Sequence, residues 1–164
     1  MPEFFPERIL EILNEHDVQF VMIGGLAAAL HGSEIATVDL DITPLKSHDN
    51  LAKLSSALTQ LHARIRTEGV DGGLPFAHTS MSLAAAGIWN LLTDFGDLDI
   101  SFVPSGTEGY ADLRKGAIAI EIFGFVTTVA SLADVIRSKE AAGRPKDLIA
   151  VPHLRRLLAQ LNRE

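Results

Sequence analysis

The chain has 164 residues, a net charge of −7 and a hydrophobic content of 47%, which together support a single domain over residues 1–164 with a substantial buried core. The absence of cysteine excludes disulfides and thiolate metal sites, and the acidic balance argues against a protein whose whole surface binds nucleic acid. The longest apolar run, Phe20 to Leu30, is far too short for a membrane span, and the opening Met-Pro-Glu-Phe-Phe-Pro-Glu-Arg lacks the order of a signal peptide, so a cytoplasmic protein with no membrane partner is expected.

In chain order, Pro6 to Glu15 reads as a helix with Ile9, Leu10 and Leu13 inward. Residues 20–24 read as a buried strand and residues 26–31 as a short helix closed by Gly32. The segment 37–43 alternates with the period of a half-buried strand, placing Val38, Leu40 and Ile42 on one face and Asp39 and Asp41 on the other. Ser47 is placed to cap a helix carrying Leu51, Leu54, Leu58 and Leu61. A short strand at 63–67 and a glycine-rich loop at 69–75 follow. Trp89 to Phe95 and Leu98 to Val103 read as a hairpin turning at Gly96-Asp97. A short helix at 109–114 leads to a strand region at 117–126. Ser131-Leu132-Ala133-Asp134 has the pattern of a capping box opening a helix that runs to Gly143, and Pro152 is read as the start of the last helix, with Leu154, Leu157, Leu158 and Leu161 inward. The class is α/β (α+β), a small twisted mixed sheet flanked by helices.

The chemistry concentrates at Gly24-Gly25 and the Asp39-Leu40-Asp41 strand. Two carboxylates two residues apart on a strand stand about 7 Å apart at their Cα atoms and open onto one volume. They repel and raise each other's pKa, a conflict that a divalent cation such as magnesium removes. Glycines without Cβ atoms let backbone N–H groups approach an anion, and the helix that follows adds the positive end of its dipole. A phosphate cradle facing a metal platform is the reading these residues support.

The order strand, Gly24-Gly25, helix, then Asp39-Leu40-Asp41 resembles the nucleotidyltransferase superfamily that includes polymerase-beta-like enzymes. The likeness is greatest to its minimal and AbiEii-type (abortive-infection toxin) branches, through Gly24-Gly25-Leu26-Ala27, His31-Gly32 and Thr37 ahead of the aspartates. The second glycine replaces the more usual serine and removes one hydroxyl contact to phosphate. The resemblance implies the nucleotidyltransferase fold and transfer of a nucleoside monophosphate from a nucleoside triphosphate to a hydroxyl acceptor. Asp39 and Asp41 would bind Mg2+, with Mn2+ as the substitute ion, in a two-metal site, while Gly24, Gly25 and Thr37 would serve the substrate. The acceptor stays open among RNA (tRNA included), protein and a small molecule of the antibiotic kind. An antitoxin or a homodimer partner would complete the assembly. A catalytically degenerate nucleotide-binding or partner-binding module with the same fold is the alternative.

A third acidic residue on a later strand belongs to the same pattern. Gly96-Asp97-Leu98-Asp99-Ile100 alternates again, and Asp99 is the candidate for third metal ligand or proton acceptor, with Asp97 assigned to the turn. In the helix after Ser131 the apolar stripe Leu132, Val135, Ile136 continues at Lys139, which either snorkels to water or, as the resemblance implies, meets the triphosphate. Lys146 and Asp147 are further substrate-site candidates on the same ground. Half of the 14 lysines and arginines lie from Arg137 onward, a cationic segment suited to facing an acidic site. The six histidines show no metal-ligand spacing, and no P-loop, nucleophile elbow or Rossmann glycine triplet occurs.

Overall fold

A computed structural model describes residues 3–164. The elements are α1 (Pro6–Glu15), β1 (Phe20–Ile23), α2 (Gly24–Leu30), β2 (Asp39–Pro44), α3 (His48–Gln60), β3 (Arg64–Ile65), β4 (Leu74–Pro75), α4 (Ser80–Ala84), β5 (Ile88–Thr93), β6 (Gly96–Ser101), α5 (Tyr110–Gly116), β7 (Ile118–Ile122), β8 (Phe125–Val129), α6 (Leu132–Ala142) and α7 (Pro145–Leu161). The strands form one mixed sheet of eight in the order β4-β3-β5-β6-β2-β1-β8-β7. β2 and β6 run parallel at its centre, and β1 lies antiparallel to β2. The expected α/β class with a mixed sheet flanked by helices is therefore what the chain adopts.

Two period-two runs organise the middle of the sheet. Leu40 and Ile42 of β2 and Leu98 and Ile100 of β6 are fully buried and join one core with Ile9, Leu10 and Leu13 of α1 and Leu51, Leu54 and Leu58 of α3. The alternate residues, Asp39, Asp41, Asp97 and Asp99, form the row on the opposite face, in register as Asp39↔Asp97 and Asp41↔Asp99. The polar row thus follows from burying its apolar complement, since a one-residue slip would exchange the two faces.

Caps hold the helices where the sequence placed them. The Ser47 side chain accepts from the Asn50 N–H at the start of α3, and Ser131 does the same for Asp134 at the start of α6. Gly143 ends α6 in the left-handed conformation (φ 61°). The reciprocal half of the expected box at Ser131 is missing, because the Asp134 carboxylate pairs with Arg137 instead.

Several expectations need correction. Val38 is 72% exposed, because β2 begins only at Asp39 and the alternation does not extend to it. The hairpin of β5 and β6 turns at Asp94-Phe95, so Asp97 is a strand residue opposite Leu92 and not part of the turn. The single strand region at 117–126 is a hairpin of β7 and β8 folded about Phe123-Gly124. Leu74-Pro75, within the expected loop, adds a two-residue edge strand. Most consequential, Pro152 lies inside α7, which starts seven residues earlier with Pro145 in its first turn, and Leu161 at its end is 39% exposed.

Proline within a helix removes the bond to the carbonyl four residues back, here that of Leu148, and crowds it. Pro152→Ala should therefore stabilise the chain by about 1–3 kcal/mol, read from urea denaturation midpoints. A loss of stability would mean that the ring makes packing contacts worth more than the missing bond.

Candidate functional site

β1 and β2 are antiparallel neighbours with Ile23 opposite Asp41, so the chain leaves β1 directly beside the second aspartate. This explains Gly24. Its φ is +79°, and a Cβ placed there would lie 2.2 Å from Oδ2 of Asp41, so a side chain is excluded by backbone conformation and by space alike. A Cβ on Gly25 would lie 2.9 Å from Oγ1 of Thr37. The space the two glycines open is taken by Asp41 and Thr37, and it is through these contacts that the diglycine shapes the site. Thr37 in turn donates from Oγ1 to Oδ1 of Asp39 at 3.1 Å, fixing the first carboxylate.

Asp39, Asp41 and Asp99 converge. Each offers a carboxylate oxygen, and the three oxygens lie within 4.8 Å of one another. All three line a cavity of about 540 Å³, together with Gly24, Gly25 and Thr37. That volume is in the range of ordinary ligand sites. Burial, then the charges of Asp39 and Asp99, pushes the Asp41 pKa up to about 7. Burial also raises Asp99, to about 6, against the opposing pull of Arg66. Carboxylates this crowded and this poorly neutralised are a donor set that a hard divalent cation fits, with all-oxygen ligands and open positions left for water or phosphate.

Asp97 and Asp99, two residues apart, are separated in role by Arg66. Its guanidinium donates to Asp99 Oδ1 at 2.7 Å and to the Leu91 carbonyl at 3.0 Å, and lies 3.2 Å from Asp97 Oδ2. Asp97 thus anchors the arginine, while Asp99 belongs to both the arginine and the triad. Arg66 was absent from the sequence reading. The pattern Arg64-Ile65-Arg66 on a short strand was its only signal, and nothing local tells that β3 lies next to β5.

The same cavity carries cations from the C-terminal helices. Lys139 of α6, Arg144 between the helices and Lys146 in the first turn of α7 line it, with Ser138 beside them. Lys139 does leave the apolar stripe toward this space and keeps only 17% side-chain exposure. Asp147 behaves differently from the other candidates. It is completely buried, accepts from Arg144 Nε at 2.7 Å and from the Arg144 backbone N–H at 3.2 Å, and stands 3.6 Å from Lys139 Nζ. Burial would raise its pKa, but the Arg144 hydrogen bond and the charges of Arg144 and Lys139 outweigh it and hold the carboxylate below its usual range. Asp147 does not line the cavity; it positions Arg144 and Lys139, which do. Arg144 belongs to the cationic segment that the sequence places after Arg137, but it is not among the expected site residues, although its position between Gly143 and Pro145 marks it as a helix-junction residue. Arg137, Arg155 and Arg156 bond instead to Asp112 and Asp134, to Glu140, and to His153. His31 bonds the Ala130 carbonyl at 2.8 Å, and His78 shares its Nδ1 with Ser55 Oγ.

Neither a family model nor a curated protein matches this sequence. Solved structures do. A nucleotidyltransferase candidate from Thermotoga maritima (TM1012) superposes with a TM-score of 0.54 at 18% identity, covering 97% of each chain. The antibiotic-resistance factor ANT(2'')-Ia superposes in a solution structure with a TM-score of 0.55 at 17% identity, over 95% of this chain and 82% of that one. Its crystal structure in complex with adenylyl-2''-tobramycin gives 0.55 at 19% identity, over 93% and 85% of the two chains. The chain has the fold of these nucleotidyltransferase structures along nearly its whole length.

Two outcomes follow from the site's electrostatics. With divalent ions chelated, the folded chain keeps a proton on Asp41 that the unfolded chain has already released, so stability falls as pH rises from about 4 to about 7. Asp41→Asn removes that decline, and its stability advantage over the wild type should grow by up to about 4 kcal/mol between those limits in urea titrations with EDTA. A pH-independent difference would contradict the assignment. Asp147→Ala should destabilise by roughly 2 kcal/mol, less than the ~3–5 typical of a broken buried pair because Arg144 can rehydrate. Its thermal midpoint measures this; an unchanged midpoint would show the pair to be inert.

Proposed function

We propose that this chain is a nucleotidyltransferase, moving a nucleoside monophosphate from a nucleoside triphosphate to a hydroxyl acceptor. The observation that carries the reading is one cavity lined both by three converged carboxylates and by Lys139, Arg144 and Lys146. The likeness to nucleotidyltransferase structures supports it at the level of fold.

Asp39, Asp41 and Asp99 would hold magnesium, or manganese in its place, in a two-metal site. Such ions, when bound, neutralise phosphate charge and favour departure of pyrophosphate. The chain's own residues do the rest. Lys139 and Lys146 receive the triphosphate as compact charges on flexible stems, and Arg144 adds a planar fork. Gly24 and Gly25 line the cavity and leave room for Asp41 and Thr37 within it, and Thr37 keeps Asp39 oriented. The acceptor oxygen attacks the α-phosphorus, the α–β bridging bond breaks, and pyrophosphate leaves. The acceptor's proton passes to Asp99, whose carboxylate opens onto the same small volume as those of Asp39 and Asp41. Arg66 holds that carboxylate in place through its hydrogen bond to Oδ1.

The acceptor is proposed at the level of class. ANT(2'')-Ia, a resistance factor seen with adenylylated tobramycin, supports a small-molecule acceptor. The AbiEii-type, toxin-like reading, with tRNA or protein as acceptor and an antitoxin as partner, rests on the Gly24–Ala27, His31-Gly32 and Thr37 resemblance alone.

Incubation with α-labelled nucleoside triphosphates, Mg2+ and separate pools of aminoglycosides, tRNA and protein should give label transfer in one pool. Asp41→Ala should lose at least about 10³-fold in rate while keeping the fold, as far-ultraviolet circular dichroism would report. Full activity in that variant, or no Mg2+-dependent stabilisation of the wild type by any nucleotide, would refute the function.

A further inference from the structure

The two edges of the sheet are built differently. β4 is two residues long and ends on Pro75, a short edge that cannot extend a ladder. β7, at the other edge, has five residues without proline, lysine or bulge, paired regularly to β8 alone. Glu121 is the single charge between residues 117 and 130. Ile118 is 44% exposed, Val126 63% and Phe123 55%. Phe123 occupies the hairpin turn at φ 53°, a left-handed position that favours Asn or Gly, so an apolar ring is displayed at the tip at a conformational cost. Apolar edges are strand-pairing surfaces unless something blunts them, and on β7 the one charge that could do so is Glu121.

The sequence of β7 selects what pairs with it. A two-fold axis normal to the sheet keeps each face on its own side only when a residue lies on the axis. Centring the axis on Ile120 engages all five residues, with Ile118 opposite Ile122 of the second copy and Glu121 opposite Ala119 of the second copy. The isoleucines of both strands, which share the face of the buried Val129 and Thr127, then form one continuous row. Phe123 falls opposite Ala117 of the second copy, a large side chain beside a small one. Moving the axis to Glu121 would instead set two carboxylates face to face, and any other centre leaves residues unpaired. We propose that the chain self-associates through β7, two copies pairing antiparallel about Ile120 to make one continuous sheet.

Ala119 is exposed and outside the core, so substitutions there leave the monomer fold intact. Ala119→Glu places a carboxylate opposite each Glu121 and should weaken the dimer about tenfold, whereas Ala119→Lys should tighten it by a similar factor, both read by sedimentation equilibrium of the full chain. Because the chain has no cysteine, Ile120→Cys introduces one thiol per copy at the axis, where paired Cα atoms lie about 4.5–5.5 Å apart and a disulfide can form. Mild oxidation should cross-link Ile120→Cys and leave Ile118→Cys uncross-linked. A chain that stays monomeric at about 100 µM leaves the edge to some other polypeptide and overturns the proposal. A dimer indifferent to both Ala119 substitutions uses another surface and overturns it equally.

Discussion

Carboxylates brought together in a half-buried space repel one another and lose hydration, and both effects favour protonation over charge. Asp41 and Asp99 stand at matched positions on adjacent parallel strands, with Asp39 two residues before Asp41 on the same face, so the sheet itself enforces their crowding. The backbone adds to it by turning at Gly24 so tightly that a Cβ would strike the Asp41 carboxylate. Nothing in the fold relaxes this arrangement. Arg66 neutralises only the flank of Asp99, and Lys139 and Lys146 only partly offset the charge around Asp41. The remaining charge is matched by what a hard cation and a triphosphate bring together.

Two of the three cations at the cavity depend on a single buried side chain. Asp147, at the start of α7, reaches back to the Arg144 backbone and holds the Arg144 guanidinium and the Lys139 ammonium at once. A buried carboxylate at a helix junction thereby ties α6 to α7 and fixes the spacing of their positive charges. Its acidic partner system on the sheet is fixed by strand register, so the carboxylates and these two cations are held by structure that does not need the ligand to form.

Much of this was legible because side-chain alternation is local. In 39–42 and 97–100 the apolar residues identify the buried face, and the aspartates fall on the other face without any knowledge of neighbours. Ser47 and Ser131 were recognisable as caps for the same reason: their partners are three residues away. What could not be read depends on residues far apart in the chain. Arg66 meets Asp99 only because β3, β5 and β6 lie side by side, and Asp97 reads as a turn residue because it follows Gly96, whereas the turn lies at Asp94-Phe95. Pro152 misled for a different reason. Proline is commonest in a first helical turn, and Pro145 already occupies that place, so the second proline is carried inside α7 by the packing of Val151 and Leu154.

The central claim is spatial and electrostatic, and diffraction from crystals soaked in Mn2+ tests it most directly. The account predicts an anomalous peak bonded to Asp39, Asp41 and Asp99 that vanishes in Asp41→Asn. A peak elsewhere, or crystals in which the three carboxylates turn apart and the cavity stays free of metal at millimolar ion, would contradict it.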